Sequence, residues 1–364
     1  MSTFKIAATQ IAETIPTFVN AKRTPLFVSR PGMGKTAMVR VGSADWGKEL
    51  SAKFGRPITP AVRELHLASM SEVDVRGYLI PNGDQATFTK PEFWADVEAN
   101  EFGVLFLDEF PQASHEVQKA VAPLILERRI GEFHLPDGWA VMCAGNGTED
   151  GAGANSLLSH VLNRVVLVEV DAPDVDEWVA WAIGAGLPSE LIAFAKLRPG
   201  VVFESDVPDA TDTPYCTPRS LHALGDIANA YPGGLVAMVG SPIGMAMMAG
   251  AIGDGATAEC AGLIRQTVTL PTFEDAMKNP ETCRVPEGLS ESYAMAMLVA
   301  CRATAKDHRE QAATYIVRFP VNVALTGIVS LIRRDSGFLH STTFMKWVTS
   351  NRELVRKFQK YINV

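Results

Sequence analysis

The rhythm of apolar and polar positions changes along this chain. Residues 25–29 (PLFVS) form a short apolar run that ends in a glycine-rich turn. Residues 62–67 (VRELHL) alternate at period two, and residues 103–108 (GVLFLD) are a continuous apolar run closed by an acid. Residues 139–144 (WAVMCA) and 165–170 (VVLVEV) repeat the theme. Short, nearly continuous apolar runs separated by helical patterns predict parallel strands buried on both faces. The expected architecture is therefore α/β, with helices on both sides of a parallel sheet. Two segments fall outside that scheme. Residues 76–89 carry an Asn-Gly turn between extended residues, and residues 129–139 hold Gly131 and the triplet Pro136-Asp137-Gly138. Both read as β-hairpins inserted into the α/β layer.

Beyond about residue 172 the strand signals stop. Residues 174–185 are patterned as a helix, with Trp178 and Trp181 three apart, and helical segments continue to the end between Pro/Gly breaks. The expected division is an α/β core over 1–172, a helical region over 173–285 and a basic helical C-terminal extension over 286–364. Residues 227–253 are free of charge, a length that would span a bilayer. Prolines and glycines cut the run into pieces too short to cross, so it is read as a buried helix pair and no membrane segment is expected. The tryptophans at 139, 178 and 181 and the methionines at 238, 245, 247 and 248 are assigned to the core.

Composition narrows the class. Hydrophobic residues are 47% and charged residues 20% of the 364, which excludes global disorder. The net charge of −8 does not favour a surface made for the DNA backbone. Its distribution is uneven, with a net +7 over residues 301–364 and −15 over the rest. The last stretch, 344–361, reads as an amphipathic basic helix able to dock an acidic partner or nucleic acid. Five scattered cysteines form neither a CxxC pair nor a cluster with histidine, so no zinc site or disulfide framework is expected. The N-terminus has no basic segment followed by a long apolar one, and a cytoplasmic protein is expected.

The strongest chemical signal is Ser29-Arg30-Pro31-Gly32-Met33-Gly34-Lys35-Thr36, between a strand and a helical pattern. That context defines a phosphate-binding P-loop. Backbone amides from Arg30 to Ala37 would wrap the phosphates, and the helix N-terminus would add its dipole. Lys35 would reach the β- and γ-phosphates of ATP, and Thr36 would bind Mg²⁺. The usual pattern begins with glycine, and here that position is Ser29. About 70 residues later an apolar strand ends in Asp108-Glu109. Asp108 is expected to hold the metal and Glu109 to orient and deprotonate the attacking water. A third strand ends at Asn146, whose amide is placed to bond the γ-phosphate or that water.

These three elements, in this order, resemble the AAA+ ATPases, and more closely their MoxR-like branch, over about residues 20–230. The marks are PGMGKT at 31–36, FLDEF at 106–110, AGN at 144–146, LSHVLNR at 158–164 and TPRSL at 217–221. The resemblance implies an AAA+ P-loop parallel-sheet core, a helical lid and a helical C-terminal extension. It implies that the 129–139 hairpin precedes sensor 1 and that the 76–89 hairpin is the helix-2 insert. It makes Arg164 the arginine finger and Arg219 sensor 2. A guanidinium suits both roles, because it can stabilise several phosphoryl oxygens at once. A finger acting between subunits implies a homo-oligomeric ring, a hexamer in this family. Members of the branch work with a partner that carries a von Willebrand factor A domain. The residue that gates Glu109 is not assignable within His66–Ser69. His160 stands four residues before Arg164, on the same face of a helix, and is read as a surface or core histidine ahead of one that lines a subunit interface. Arg128 and Arg129 are read as contacting a neighbour or as simply solvated.

The function this supports is Mg²⁺-dependent ATP hydrolysis that remodels or activates a protein partner, a chaperone-like role. A nucleic-acid translocase or helicase-type motor would use the same site and leaves nucleic acid open as a partner. A scaffold without turnover is disfavoured by the intact Lys35, Asp108, Glu109, Asn146 and Arg164.

Overall fold

The computed structural model describes residues 4–147, 157–204, 213–267 and 270–351. The chain divides after Pro173 into two compact units.

The first unit is built on a six-stranded parallel sheet. Its strands are β1 (Ile6–Ala7), β2 (Thr24–Val28), β3 (Ala61–His66), β6 (Gly103–Asp108), β9 (Trp139–Gly145) and β10 (Val165–Asp171), ordered β1-β10-β2-β9-β6-β3. Two antiparallel ribbons accompany it: β4 (Leu79–Asn82) with β5 (Gln85–Phe88), and β7 (Arg129–Ile130) with β8 (Phe133–His134). The helices are α1 (Ile11–Ala21), α2 (Lys35–Phe54), α3 (Glu72–Arg76), α4 (Trp94–Ala99), α5 (His115–Glu127) and α6 (Ser159–Leu162).

Alternation along the strands splits the core in two. Leu105 and Leu107 of β6, with Val141 and Cys143 of β9, join Val75, Trp94, Val97, Val117 and Val121 from α3, α4 and α5. Val104 and Phe106, with Ala140 and Met142, face the other way onto Ile11, Ile15, Val39 and Trp46 from α1 and α2. Burial on both faces is why these strands read as unbroken apolar runs. The fold is thus mixed α/β around a six-stranded parallel sheet.

The second unit is helical throughout its described residues. It comprises α7 (Val175–Gly184), α8 (Ser189–Leu197), α9 (Pro199–Val202), α10 (Pro218–Ala230), α11 (Gly234–Val239), α12 (Pro242–Ile252), α13 (Asp254–Thr267) and α14 (Phe273–Lys278). It continues with α15 (Leu289–Arg302), α16 (Ala305–Ile316), α17 (Val321–Arg334) and α18 (Thr342–Ser350). α15 packs on α8 and α17, and α17 on α7, so residues beyond 286 share one core with residues 175–197. Among the described residues no helix is long and apolar enough to cross a membrane.

Some expectations need correction. The charge-free run contributes α11 and α12, but Ile243 is 66% and Met247 45% exposed, so that pair is only half buried. Met238 and Met248 are in the core as expected. Trp178 is buried, whereas Trp181 is 42% exposed and packs edge-on to the His222 ring. Positions three apart on a helix are displaced by about a sixth of a turn, and α7 buries only one of the two. α18 covers the start of the basic C-terminal stretch, and the remainder from residue 352 lies outside the described residues.

Candidate phosphate-binding site

Three strand ends converge on one edge of the sheet. Ser29 follows β2, Asp108 closes β6 and Asn146 follows β9. Parallel strands put their carboxyl ends together, and in open α/β sheets that edge is where ligands bind. Because β9 lies between β2 and β6, Asn146 emerges between the glycine-rich loop and the acidic pair.

The loop is shaped by its glycines. Gly32 and Gly34 have φ of 77° and 85°, a region that a side chain disfavours. Gly34 caps α2, so Lys35 and Thr36 stand in the first turn of a 20-residue helix. The free amides of that turn and the helix dipole both favour an anion. Gly32, Met33 and Lys35 are buried, Pro31, Gly34 and Thr36 half-buried, and Arg30 and Ala37 exposed.

The polar side chains meet in this space. Lys35 Nζ donates to Ser29 Oγ at 2.8 Å and to Asn146 Oδ1 at 3.3 Å. Thr36 Oγ1 donates to Asp108 Oδ2 at 3.1 Å, while Asp108 Oδ1 accepts from the Glu109 amide at 2.9 Å. Glu109 is exposed and left-handed, with φ 56° and ψ 31°. A hydroxyl and a carboxylate oxygen this close suit a hard cation. Among the described residues no three His, Cys, Asp or Glu side chains cluster as a metal cage. Mg²⁺ keeps waters and phosphate oxygens and needs only one or two protein ligands, so Thr36 and Asp108 fit it. The arrangement can cradle a phosphate, hold a divalent ion beside it and present a carboxylate at its edge.

Neighbours that the sequence did not single out position these groups. Gln112 Nε2 donates to the Asn146 carbonyl at 3.3 Å. A Cβ on Gly145 would meet Pro111 Cδ at 2.1 Å and Cγ at 2.6 Å. The turn after Glu109 is therefore pressed against the strand end that carries Asn146. His66 pairs in register with Asp108 and is exposed, with its carbonyl bonded by Ser69 Oγ. No motif signals Gln112 or Pro111; only the shared sheet edge reveals them. Cys143 lies two residues before Gly145 in β9, and complete burial pushes its thiol far above the usual range, so it stays protonated within the core.

The two arginines stand in different units. Arg164 is exposed in the turn after α6. α6 ends at Leu162, before Arg164. Leu162, Val166 and Leu167 around it are 44%, 43% and 50% exposed. Arg219 is exposed at the start of α10, after Thr217, whose hydroxyl caps the helix by accepting from the Ser220 amide at 3.1 Å.

Both inserts are hairpins. Arg128 is half-buried. Its guanidinium donates to the carbonyls of Pro136 at 2.8 Å and Trp139 at 2.7 Å, clasping the base of the β7–β8 ribbon. The β4–β5 ribbon exposes Tyr78, Leu79, Ile80 and Phe88 by 63%, 59%, 45% and 36%.

No family model matches the sequence, and no curated protein does. Among solved structures the chain is similar to a RuvB mutant from Thermotoga maritima, at 14% identity and a TM-score of 0.33, over 71% of this chain and 70% of that one. It is similar to a putative ATPase from Cytophaga hutchinsonii at 13% and 0.35, over 71% and 81%. A third similar structure is NtrX from Brucella abortus in complex with ADP, at 12% and 0.33, over 97% and 67%. Likenesses this remote assign neither family nor activity.

Proposed function

We propose that this protein is a AAA+ ATPase of the MoxR-like type, which hydrolyses ATP with Mg²⁺ in a homo-oligomeric ring and uses the turnover to remodel a protein partner. The observation that carries the reading is the convergence of Lys35, Thr36, Asp108 and Asn146 on one sheet edge, at 3.1–3.3 Å between the Lys35–Asn146 and Thr36–Asp108 pairs. Lys35 and the α2 amides would bind the phosphates. Thr36 and Asp108 would hold Mg²⁺, which supplies charge neutralisation on the transferring phosphoryl group. Glu109 would take the proton of the attacking water, and Asn146 would orient that water.

Arg164 and Arg219 are proposed as the arginine finger and sensor 2. The exposed apolar surround of Arg164 suits a surface that a second subunit covers. The β4–β5 ribbon favours a polypeptide client over a nucleic acid. Its flanking cation, Arg76, is engaged by Glu72 at 3.1 Å and lies over the Phe88 ring, leaving exposed apolar residues at the base of the ribbon, below its polar Asn82–Gln85 turn. A partner with a von Willebrand factor A domain remains part of this proposal through the resemblance alone.

The test is phosphate release from ATP by the full chain with and without Mg²⁺. Lys35→Ala should lose nucleotide binding. Glu109→Gln should keep it and lose about 10²–10⁴-fold in turnover, the usual worth of a general base. Wild-type turnover that survives in Glu109→Gln, or a wild type that binds no nucleotide, overturns the reading.

A further inference from the structure

Ser29 occupies the position where the P-loop pattern has glycine. The serine is 6% exposed, and its amide donates to the Gly145 carbonyl at 3.3 Å, which fixes it to β9. Its hydroxyl donates to the Arg30 carbonyl at 2.8 Å. That orientation turns the oxygen lone pairs toward Lys35, whose Nζ donates to Oγ at 2.8 Å. The same ammonium also reaches the Ser29 carbonyl at 3.3 Å, the Arg30 carbonyl at 3.4 Å and Asn146 Oδ1 at 3.3 Å. Of these four contacts the one to the Ser29 hydroxyl is the shortest. An ammonium has three hydrogens to donate. A phosphate entering the loop must take at least one of them from an oxygen that already holds it.

We propose that Ser29 is a positioning residue that parks Lys35 in the nucleotide-free loop and thereby sets the affinity for the nucleotide's phosphates. The inference rests on the nucleotide-binding reading above. The hydroxyl competes with the β- and γ-phosphate oxygens for the ammonium, and binding exchanges the Nζ–Oγ hydrogen bond to a neutral acceptor for one to a charged phosphate oxygen. A glycine in this position offers no such competitor. The loop of this chain therefore binds nucleotide more weakly, and releases it faster, than the same loop with glycine.

The experiment is a titration of the full chain with a fluorescent ADP analogue, followed by competition with unlabelled ADP and ATPγS. Wild type, Ser29→Gly and Ser29→Ala are compared. Both variants should bind about three- to tenfold tighter, the size expected for the net worth of one hydrogen bond removed from the competition. Their dissociation rates should fall in proportion. Damage to the loop would weaken binding, so a gain separates tethering from a structural role. Unchanged or weaker binding by Ser29→Gly, which adds no atom to the loop, overturns the proposal whatever Ser29→Ala does. A wild type that binds none of the nucleotides overturns the nucleotide reading itself, and the two failures are thus told apart.

Discussion

Glu109 holds a backbone conformation that an L-residue adopts at a cost of about 1–2 kcal/mol, and it does so at the end of β6 beside Asp108. Strain of this kind persists where the surroundings over-determine it. Here the Glu109 carbonyl accepts from the amides of Gln112 and Ala113 at 3.0 and 3.1 Å, and its own amide is fixed on Asp108. Glu109→Gly should relieve the strain and melt above Glu109→Ala by up to about 1 kcal/mol, while both lose turnover under the proposed chemistry. Thermal melts of the two variants decide this, and a glycine variant less stable than the alanine one contradicts it. Gly145→Ala is the converse case. Its new Cβ would lie 2.1 Å from Pro111 Cδ, so strand end and turn must part, at about 1–3 kcal/mol. Denaturant melts should show that loss together with weaker nucleotide binding through the displaced Asn146. At this scale the sequence made Lys35, Thr36, Asp108 and Asn146 legible, because motif spacing reports strand ends. Gln112 and the Ser29–Lys35 contact were not legible, because both depend on distances across the sheet.

The five principal strands stand within one residue of where the apolar runs place them, and both hairpins form. The runs of β2, β6 and β9, buried on both faces, leave an unmistakable pattern, and an Asn-Gly turn needs no tertiary information. Helix faces were less legible. Trp181 and Met247 are apolar yet exposed, since periodicity gives the direction of a face and not what covers it. The Arg128 clasp was hidden for the same reason. Arg128→Ala should free the base of the β7–β8 ribbon, and hydrogen exchange should rise at residues 129–139 while β2 amides stay protected; uniform exchange across the unit would contradict a local clasp.

In the second unit two carboxylates hold helix starts. Asp335 accepts from the Ala305 amide at 2.8 Å, and chiefly this bond holds its carboxyl below the usual range. Glu310 accepts from the Thr342 amide at 2.9 Å and Thr343 Oγ1 at 2.9 Å. Desolvation pushes its carboxyl up, and hydrogen bonds from Thr343, Thr342 and Ser341 together outweigh that and leave it lowered. A carboxyl lowered in the folded state contributes stability in full above its unfolded value of about 4, and loses it as pH falls through the folded value. Glu310→Ala should therefore melt a few degrees below wild type at pH 7, and the gap should narrow below about pH 4. A gap independent of pH would contradict the assignment.

At the scale of the whole molecule the chain is a parallel-sheet unit followed by a helical unit, with acidic residues in excess over the first 300 positions and basic ones after. The sheet edge collects the groups proposed to bind phosphate, the β4–β5 ribbon carries exposed apolar residues at its base, and Arg164 stands exposed among apolar neighbours. The central claim is that Arg164 completes the site of another subunit. Mixing answers it most directly. Lys35→Ala and Arg164→Ala are each expected to be inactive, a finger typically accounting for about 10³-fold or more in rate. In a ring assembled from both, a Lys35→Ala subunit can lend its Arg164 to the intact loop of an Arg164→Ala neighbour. ATP turnover should reappear on mixing and peak near equal proportions. A mixture no more active than the sum of its parts, beside a wild type whose specific activity does not depend on concentration, would contradict the shared site.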